Sequence, residues 1–235
     1  MGAKFGELLH DACVNILTVA KGAVYICMSS SELDTLQKAF RGAGGHWSTF
    51  VIWAKNTFTL GRSDYQRQYE PILYAWKDGA DHYWRGARDQ GDVWFIDKPA
   101  KHDLHPTMKP IELVERAIGN SSKSRDIVFD PFGGSGTTLI VAERSGRRAR
   151  PVELDPKYVD VIVQRWQDRT RQNRKHCYPC ADRRVIRKPT NAQLNQHSLN
   201  IRCVPGARMR SPYQNKCKGL TVSELVLNTF LHGEL

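Results

Sequence analysis

The chain has 235 residues, with 35 Lys and Arg against 24 Asp and Glu, a formal net charge of +11. That length holds one domain of ordinary size plus an appendage, and the charge favours polyanionic partners without naming one. The most apolar window, Ala12 to Met28, is broken by Asn15, Lys21 and Gly22, and the N-terminus lacks a charged stretch followed by an apolar run. Neither a signal peptide nor a membrane span is therefore expected. The six Cys are scattered, and Cys13 and Cys27 lie in apolar segments, as core thiols of a cytoplasmic protein would.

The charge is unevenly placed. Residues 167–235 hold 13 Lys and Arg against 4 Asp and Glu, while residues 1–166 hold the other 22 and 20. The expected organisation is a domain over residues 1–166 and a basic, poorly ordered tail over residues 167–235.

Within the first part, helix-like and strand-like segments alternate. Gly6 to Ala20 places Leu9, Ala12, Cys13, Ile16, Leu17 and Ala20 on one helical face, and Ala23 to Met28 reads as a buried strand. Ser31 is a candidate cap for a helix carrying Leu33, Leu36, Ala39 and Phe40. Two strands follow, Trp47 to Lys55 and Glu70 to Lys77, around a polar loop. A shorter pair, His82 to Trp84 and Val93 to Ile96, reads as a hairpin. Pro110 opens a helix with Leu113, Val114, Ala117 and Ile118 on one face. Asp126 to Asp130 is a short strand, and a helix follows it to about Ser145. Arg148 to Asp155 is the next strand, and Asp155-Pro156 starts a helix with Tyr158, Val159, Ile162, Val163 and Trp166 aligned. This rhythm predicts an α/β fold, a parallel sheet with helices on both faces. In the tail only Val222 to Leu231 has the pattern of an amphipathic helix.

The strongest motif is DPFGGSGTT, Asp130 to Thr138, between a strand and a helix. Small residues there let the backbone approach a ligand, and the helix start offers free amides. Glu153 ends the next strand, where a carboxylate accepts both hydroxyls of a ribose. The pattern lacks the Lys-Ser/Thr ending of a P-loop and the G-x-G-x-x-G of a dinucleotide fold. An acidic residue at the head of the loop, Asp130, suits a cationic group such as the amino group of a methionine moiety. S-adenosylmethionine carries that group and a sulfonium.

HPTMKP (His105 to Pro110), a helix, DPFGGSGTT and VELDPKY (Val152 to Tyr158) resemble, in that order, the C-terminal half of the beta-type, permuted amino DNA methyltransferases. The resemblance covers about residues 5–166. It implies a Rossmann-like methyltransferase sheet that binds S-adenosylmethionine and methylates the exocyclic amino group of adenine, or of cytosine, in double-stranded DNA. It implies that Asp130, Phe132, Gly133, Gly134, Ser135, Gly136 and Thr137 line the methionine end, that Glu153 holds the ribose, and that Thr107, Lys109 and Pro110 flank the cofactor from the other side. Pro151 departs from it mildly, since a proline within a strand is confined to its start or edge.

In that family an Asp/Asn/Ser-Pro-Pro-aromatic tetrapeptide holds the target amino group, and the aromatic stacks on a base swung out of the duplex. The present sequence contains none. Asp155-Pro156-Lys157-Tyr158 and Ser211-Pro212-Tyr213 each lack a proline. No catalytic residue is therefore assigned, and the expectation is an enzyme truncated at its N-terminus, with a catalytically inactive DNA-binding remnant as the alternative. An RNA or protein methyltransferase is disfavoured by the motif order, and a nicotinamide oxidoreductase by the loop spacing.

The loop from Lys55 to Glu70 mixes Lys, Arg, Tyr, Phe and Asn, which suits phosphate contacts and base stacking. Lys55, Arg62, Arg67 and Tyr69 are the candidate DNA contacts. The segment from Arg85 to Asp103 sits where the family carries its target-recognition insert. Cys177 and Cys180 form a CxxC, but Cys203 and Cys217 follow at wide spacing, so no metal site is expected.

Overall fold

The computed structural model describes residues 3–99, 108–170, 202–203 and 224–229. In chain order these form helix α1 (Ala3–Val19), strand β1 (Ala23–Cys27), a 3-10 turn (Ser30–Glu32), α2 (Leu33–Gly42), β2 (Gly45–Thr59), β3 (Arg67–Lys77) and β4 (Val93–Phe95). There follow α3 (Ile111–Ser121), β5 (Ile127–Asp130), α4 (Thr137–Arg144), β6 (Arg148–Glu153), α5 (Pro156–Thr170), β7 (Arg202–Cys203) and β8 (Glu224–Thr229). Thr107, His105 and the CxxC of Cys177 and Cys180 lie outside the described residues.

The strands form one sheet in the order β4-β2-β3-β1-β8-β5-β6-β7. β1, β8, β5, β6 and β7 run parallel, whereas β3 is antiparallel to β1 and to β2. Helices cover both faces, and alternation along β1 shows how. Val24, Ile26 and Met28 join α1 and α2 in one core with Leu9, Cys13, Ile16, Leu36 and Phe40. Ala23, Tyr25 and Cys27 join α3 in the other, with Leu113, Val114, Ala117, Ile118 and Trp53. A third cluster, Leu139, Ala142, Ala149, Ile162 and Trp166, holds α4 and α5 on β6.

Three local expectations change. Ser31 does not cap α2: it lies in the 3-10 turn, where its hydroxyl meets that of Ser29 at 2.9 Å. Val93–Phe95 is not the second arm of a hairpin. It pairs parallel with β2, through Ile52 with Val93 and Ala54 with Phe95, because Trp94 needs the core and is buried in it. The partner arm is not a strand, since His82 stacks on Trp76 at 3.7 Å between ring centroids instead. Finally, the tail segment read as a helix contains β8, which lies between β1 and β5 with Tyr25 beside Leu227 and Val128 beside Leu225. Its run Leu225-Val226-Leu227 is a short apolar stretch, which periodicity alone does not separate from a helix.

Other boundaries follow the sequence closely. Asp155 caps α5 by accepting the Lys157 N–H at 2.9 Å. Pro151 is accommodated within β6, whose pairing with β7 among the described residues involves Val152 and Glu153.

Candidate functional site

The loop between β5 and α4 leaves the sheet at the edge where its parallel strands end, the usual place for ligands in open α/β sheets. Gly136 has φ of +78°, and a Cβ there would lie 2.8 Å from Ile162 Cγ2, so both the turn and the packing of α5 require glycine. Gly134 also has positive φ, and Gly133 N–H donates to the Val152 carbonyl at 2.8 Å. The loop is thereby tied to β6. Arg165 of α5 donates to the Ser135 carbonyl.

Two carboxylates flank this loop. Asp130 is 2% exposed. Its Oδ1 accepts the Phe132 N–H at 3.1 Å and its Oδ2 the Thr138 hydroxyl at 2.6 Å. Burial pushes its carboxyl up to about 7; the Thr138 and Phe132 hydrogen bonds oppose this and nearby Glu153 adds to it. Glu153 Oε1 accepts the Leu154 and Asp155 amides, and Oε2 accepts the Gly134 amide at 2.7 Å. Oε1 is thus filled, and Oε2 retains one lone pair for a ligand hydroxyl. Neither carboxylate makes an ion pair among the described residues.

The other predicted cofactor residues gather here. Phe132 packs partly into the α1–α2 core. Pro110 precedes α3, and the carbonyl of buried Lys109 accepts the Thr137 hydroxyl at 3.2 Å. Successive threonines at the head of α4 therefore hold Lys109 and Asp130. Thr138 is a site residue that the motif reading omits, although the doubled Thr after the glycines is the signal for it.

The segment read as one polar loop from Lys55 to Glu70 is shorter: Arg62 lies in the loop after β2, whereas Arg67 and Tyr69 lie among the first residues of β3, all three exposed and Tyr65 92% exposed. Arg67 also donates to the Ser29 hydroxyl at 2.8 Å. Lys55 differs. Its side chain is only 10% exposed, bonded to Glu70 at 3.2 Å and 4.5 Å from the centroid of the Trp53 ring. A lysine so enclosed is not a phosphate contact on an open loop, and that expectation is withdrawn.

Glu70, 4% exposed at the side chain, also bonds Lys109, which is 7% exposed and 5.7 Å from the Trp53 ring centroid. Burial alone would push the Lys109 ammonium down, but Glu70 outweighs it and holds Lys109 above the ordinary lysine range. Lys55 stays lowered, because its burial is less fully offset by Glu70 and Lys109 repels it. The Cys27 thiol, pushed up to about 12 by its burial, feels Lys109, Glu70, Asp130 and Lys55 together. Glu70 escapes a motif reading, though a lone carboxylate opening the apolar run Pro71-Ile72-Leu73 is a visible oddity.

A sheet of this order, with a glycine loop after β5 and an acidic residue ending β6 beside it, defines a Rossmann-like methyltransferase fold. Residues 12–164 match the family model described as DNA methylase, of the N6/N4 methyltransferases, and the chain belongs to that family. It is 30% identical over 168 residues to the type II methyltransferase M2.DpnII of Streptococcus pneumoniae, covering 65% of this chain and 63% of that protein. It is 27% identical over 177 residues to the DNA adenine methyltransferase YhdJ of Escherichia coli K12, covering 62% and 60%. The chain thus spans less than two thirds of these curated relatives. Among solved structures, M1.HpyAVI in complex with SAM superposes with a TM-score of 0.56 at 26% identity, over 62% of this chain and 74% of that one. TTHA0409 of Thermus thermophilus gives 0.56 and 26%, over 71% and 79%.

Among the described residues, no group of His, Cys, Asp and Glu is arranged to hold a metal, and no helix is long and apolar enough to cross a membrane.

Proposed function

We propose that this chain is the S-adenosylmethionine-binding part of a DNA methyltransferase that modifies the exocyclic amino group of adenine or cytosine in double-stranded DNA. The observation that carries the reading is the pair Asp130 and Glu153. Two carboxylates flank a glycine loop without an ion-pair partner among the described residues, a setting that favours a cationic, ribose-bearing ligand. The residues present fit such a group. Asp130 and the loop Phe132, Gly133, Gly134, Ser135, Gly136 and Thr137 would hold its methionine end. Glu153 Oε2 would accept one ribose hydroxyl, and Lys109, Pro110 and Thr107 would close the far side. When bound, the group supplies an electrophilic methyl for direct displacement by the amino nitrogen. The protein's part is to orient it and exclude water. Arg62, Arg67 and Tyr69 would contact the DNA.

The permuted, beta-type motif order is part of this proposal, as are a cytoplasmic location and a basic tail over residues 167–235 that lends β7 and β8 to the sheet. A second reading, a DNA-binding remnant without catalysis, is favoured by the absence of the Pro-Pro tetrapeptide from the 235 residues. Calorimetric titration with S-adenosylmethionine tests the pocket. Saturable binding by the chain, weakened about tenfold or more by Asp130→Ala, is expected from the loss of a charge-assisted contact. A folded chain that does not bind would sink the cofactor assignment. Methyl transfer to unmethylated duplex DNA then separates enzyme from remnant.

A further inference from the structure

Strand β4 ends the sheet, and among the described residues no strand lies on its outer side. Its ladder to β2 runs through the Asp92 carbonyl, which accepts the Ile52 N–H at 2.7 Å, and the Ile96 N–H, which donates to the Ala54 carbonyl at 3.2 Å. Main-chain groups alternate in direction along a strand, so those of Val93 and Phe95 point away from β2. Side chains alternate as well. Trp94 and Ile96 enter the core, whereas Val93 is 42% exposed and Phe95 82%. Their register partners on β2, Ile52 and Ala54, are half-buried on the same face. An open edge that carries apolar side chains is a template for a further strand.

The charges around this edge say which strand. Residues 85–98 carry three Asp against three Lys and Arg, so no net charge draws them to a phosphate backbone. They are instead self-complementary. Asp92 and Lys98 are both exposed, and each lies three places from Phe95. In an antiparallel pairing with a second copy, about a two-fold axis at Phe95, that residue faces its own counterpart. Asp92 of each copy then faces Lys98 of the other, and symmetry makes both contacts form together. An axis at Trp94 would set each Asp92 against Ile96 instead, so the charges select one register.

We propose that β4 is the edge through which two copies of this chain associate, by antiparallel β4–β4 pairing centred on Phe95 and fixed in register by the two Asp92–Lys98 contacts. The sheet of one copy then continues into that of the other, and the outward main-chain groups of Val93 and Phe95 gain partners.

Sedimentation equilibrium of the full chain, freed of nucleic acid, tests this, with circular dichroism as the check on folding. A short edge pairing is a small interface, and a dimer Kd on the order of 10 μM is expected. Phe95→Asp should weaken it at least about tenfold, because a charge then meets its own counterpart on the axis. Asp92→Lys and Lys98→Asp, each alone, set like charges against each other twice and should weaken it about tenfold or more. An equimolar mixture of these two variants should dimerise within about threefold of the wild type, since every cross-copy contact is again between opposite charges. A wild-type chain that stays monomeric up to roughly 200 μM overturns the proposal. So does a dimer unaffected by Phe95→Asp, which would place the interface elsewhere, and so does a mixture no tighter than its components. Should Phe95→Asp fail to fold, the mixture decides alone, since Asp92 and Lys98 are both exposed.

Discussion

The glycine loop and the lysine pair on Glu70 are built in opposite ways. The loop is nine consecutive residues whose shape comes from backbone: positive φ at Gly134 and Gly136, amides donated to Asp130 and Glu153, and α5 pressed against the turn. The lysine pair joins β2, β3 and the segment before α3 through side chains alone. A backbone-built site carries its geometry in a short stretch of chain. A side-chain-built site exists only once distant elements have packed, and every charge in it leans on another. The two regions should therefore fail differently when disturbed.

The largest expected effect is on pH dependence. Burial holds the Asp130 carboxyl up to about 7 in the folded chain, whereas an unfolded Asp loses its proton near the ordinary 3.8. Between those limits the folded state binds more protons, so this residue makes stability fall as pH rises, by about 4 kcal/mol in all. Asp130→Asn should abolish that slope, read as the difference between variant and wild type in urea unfolding across pH 4 to 8. A slope that persists in the variant would assign it to another group. By the same sign, cofactor affinity should rise through pH 7 as Asp130 ionises.

Gly136→Ala forces a left-handed backbone and a contact with Ile162, and should cost about 2–3 kcal/mol by urea unfolding. A cost below half of that would mean that α5 gives way and the loop is less fixed than its hydrogen bonds imply. On the other side, Trp53→Phe removes the indole N–H bond to the Ile96 carbonyl and weakens the surface on which both lysines rest. About 1–2 kcal/mol should be lost, and the loop's own geometry, followed through Gly134 amide exchange, should stay intact. As a baseline, Glu115→Gln breaks an exposed contact to Arg144 and should change stability by less than about 0.5 kcal/mol.

This contrast also explains what the sequence discloses. Asp130 to Thr138 and Glu153 are recognisable because residue identity follows directly from a local turn or a strand end. The helices α1, α3 and α5 are legible for a similar reason, each having one apolar face and a neighbouring strand to bury it. Lys55 is deceptive because a lysine beside a polar loop looks solvated until Glu70, fifteen residues on, is found paired with it. Val93–Phe95 is deceptive because alternation reveals a strand but not its partner, and parallel pairing with β2 joins segments about forty residues apart. Nothing in composition separates Leu225-Val226-Leu227 from a helix face; only the slot between β1 and β5 does.

That slot has a consequence for the order in which the molecule is made. β8 bonds to β1 across about two hundred residues of sequence and to β5 across about a hundred. As synthesis proceeds, β1 and β5 each emerge with an edge that stays open until the segment from Glu224 to Thr229 has left the ribosome. Central pairing of such high sequence separation is slow, because loop closure must precede its reward. The sheet's centre is therefore the last part to close, and until then each half presents a hydrophobic strand edge to other copies of the chain.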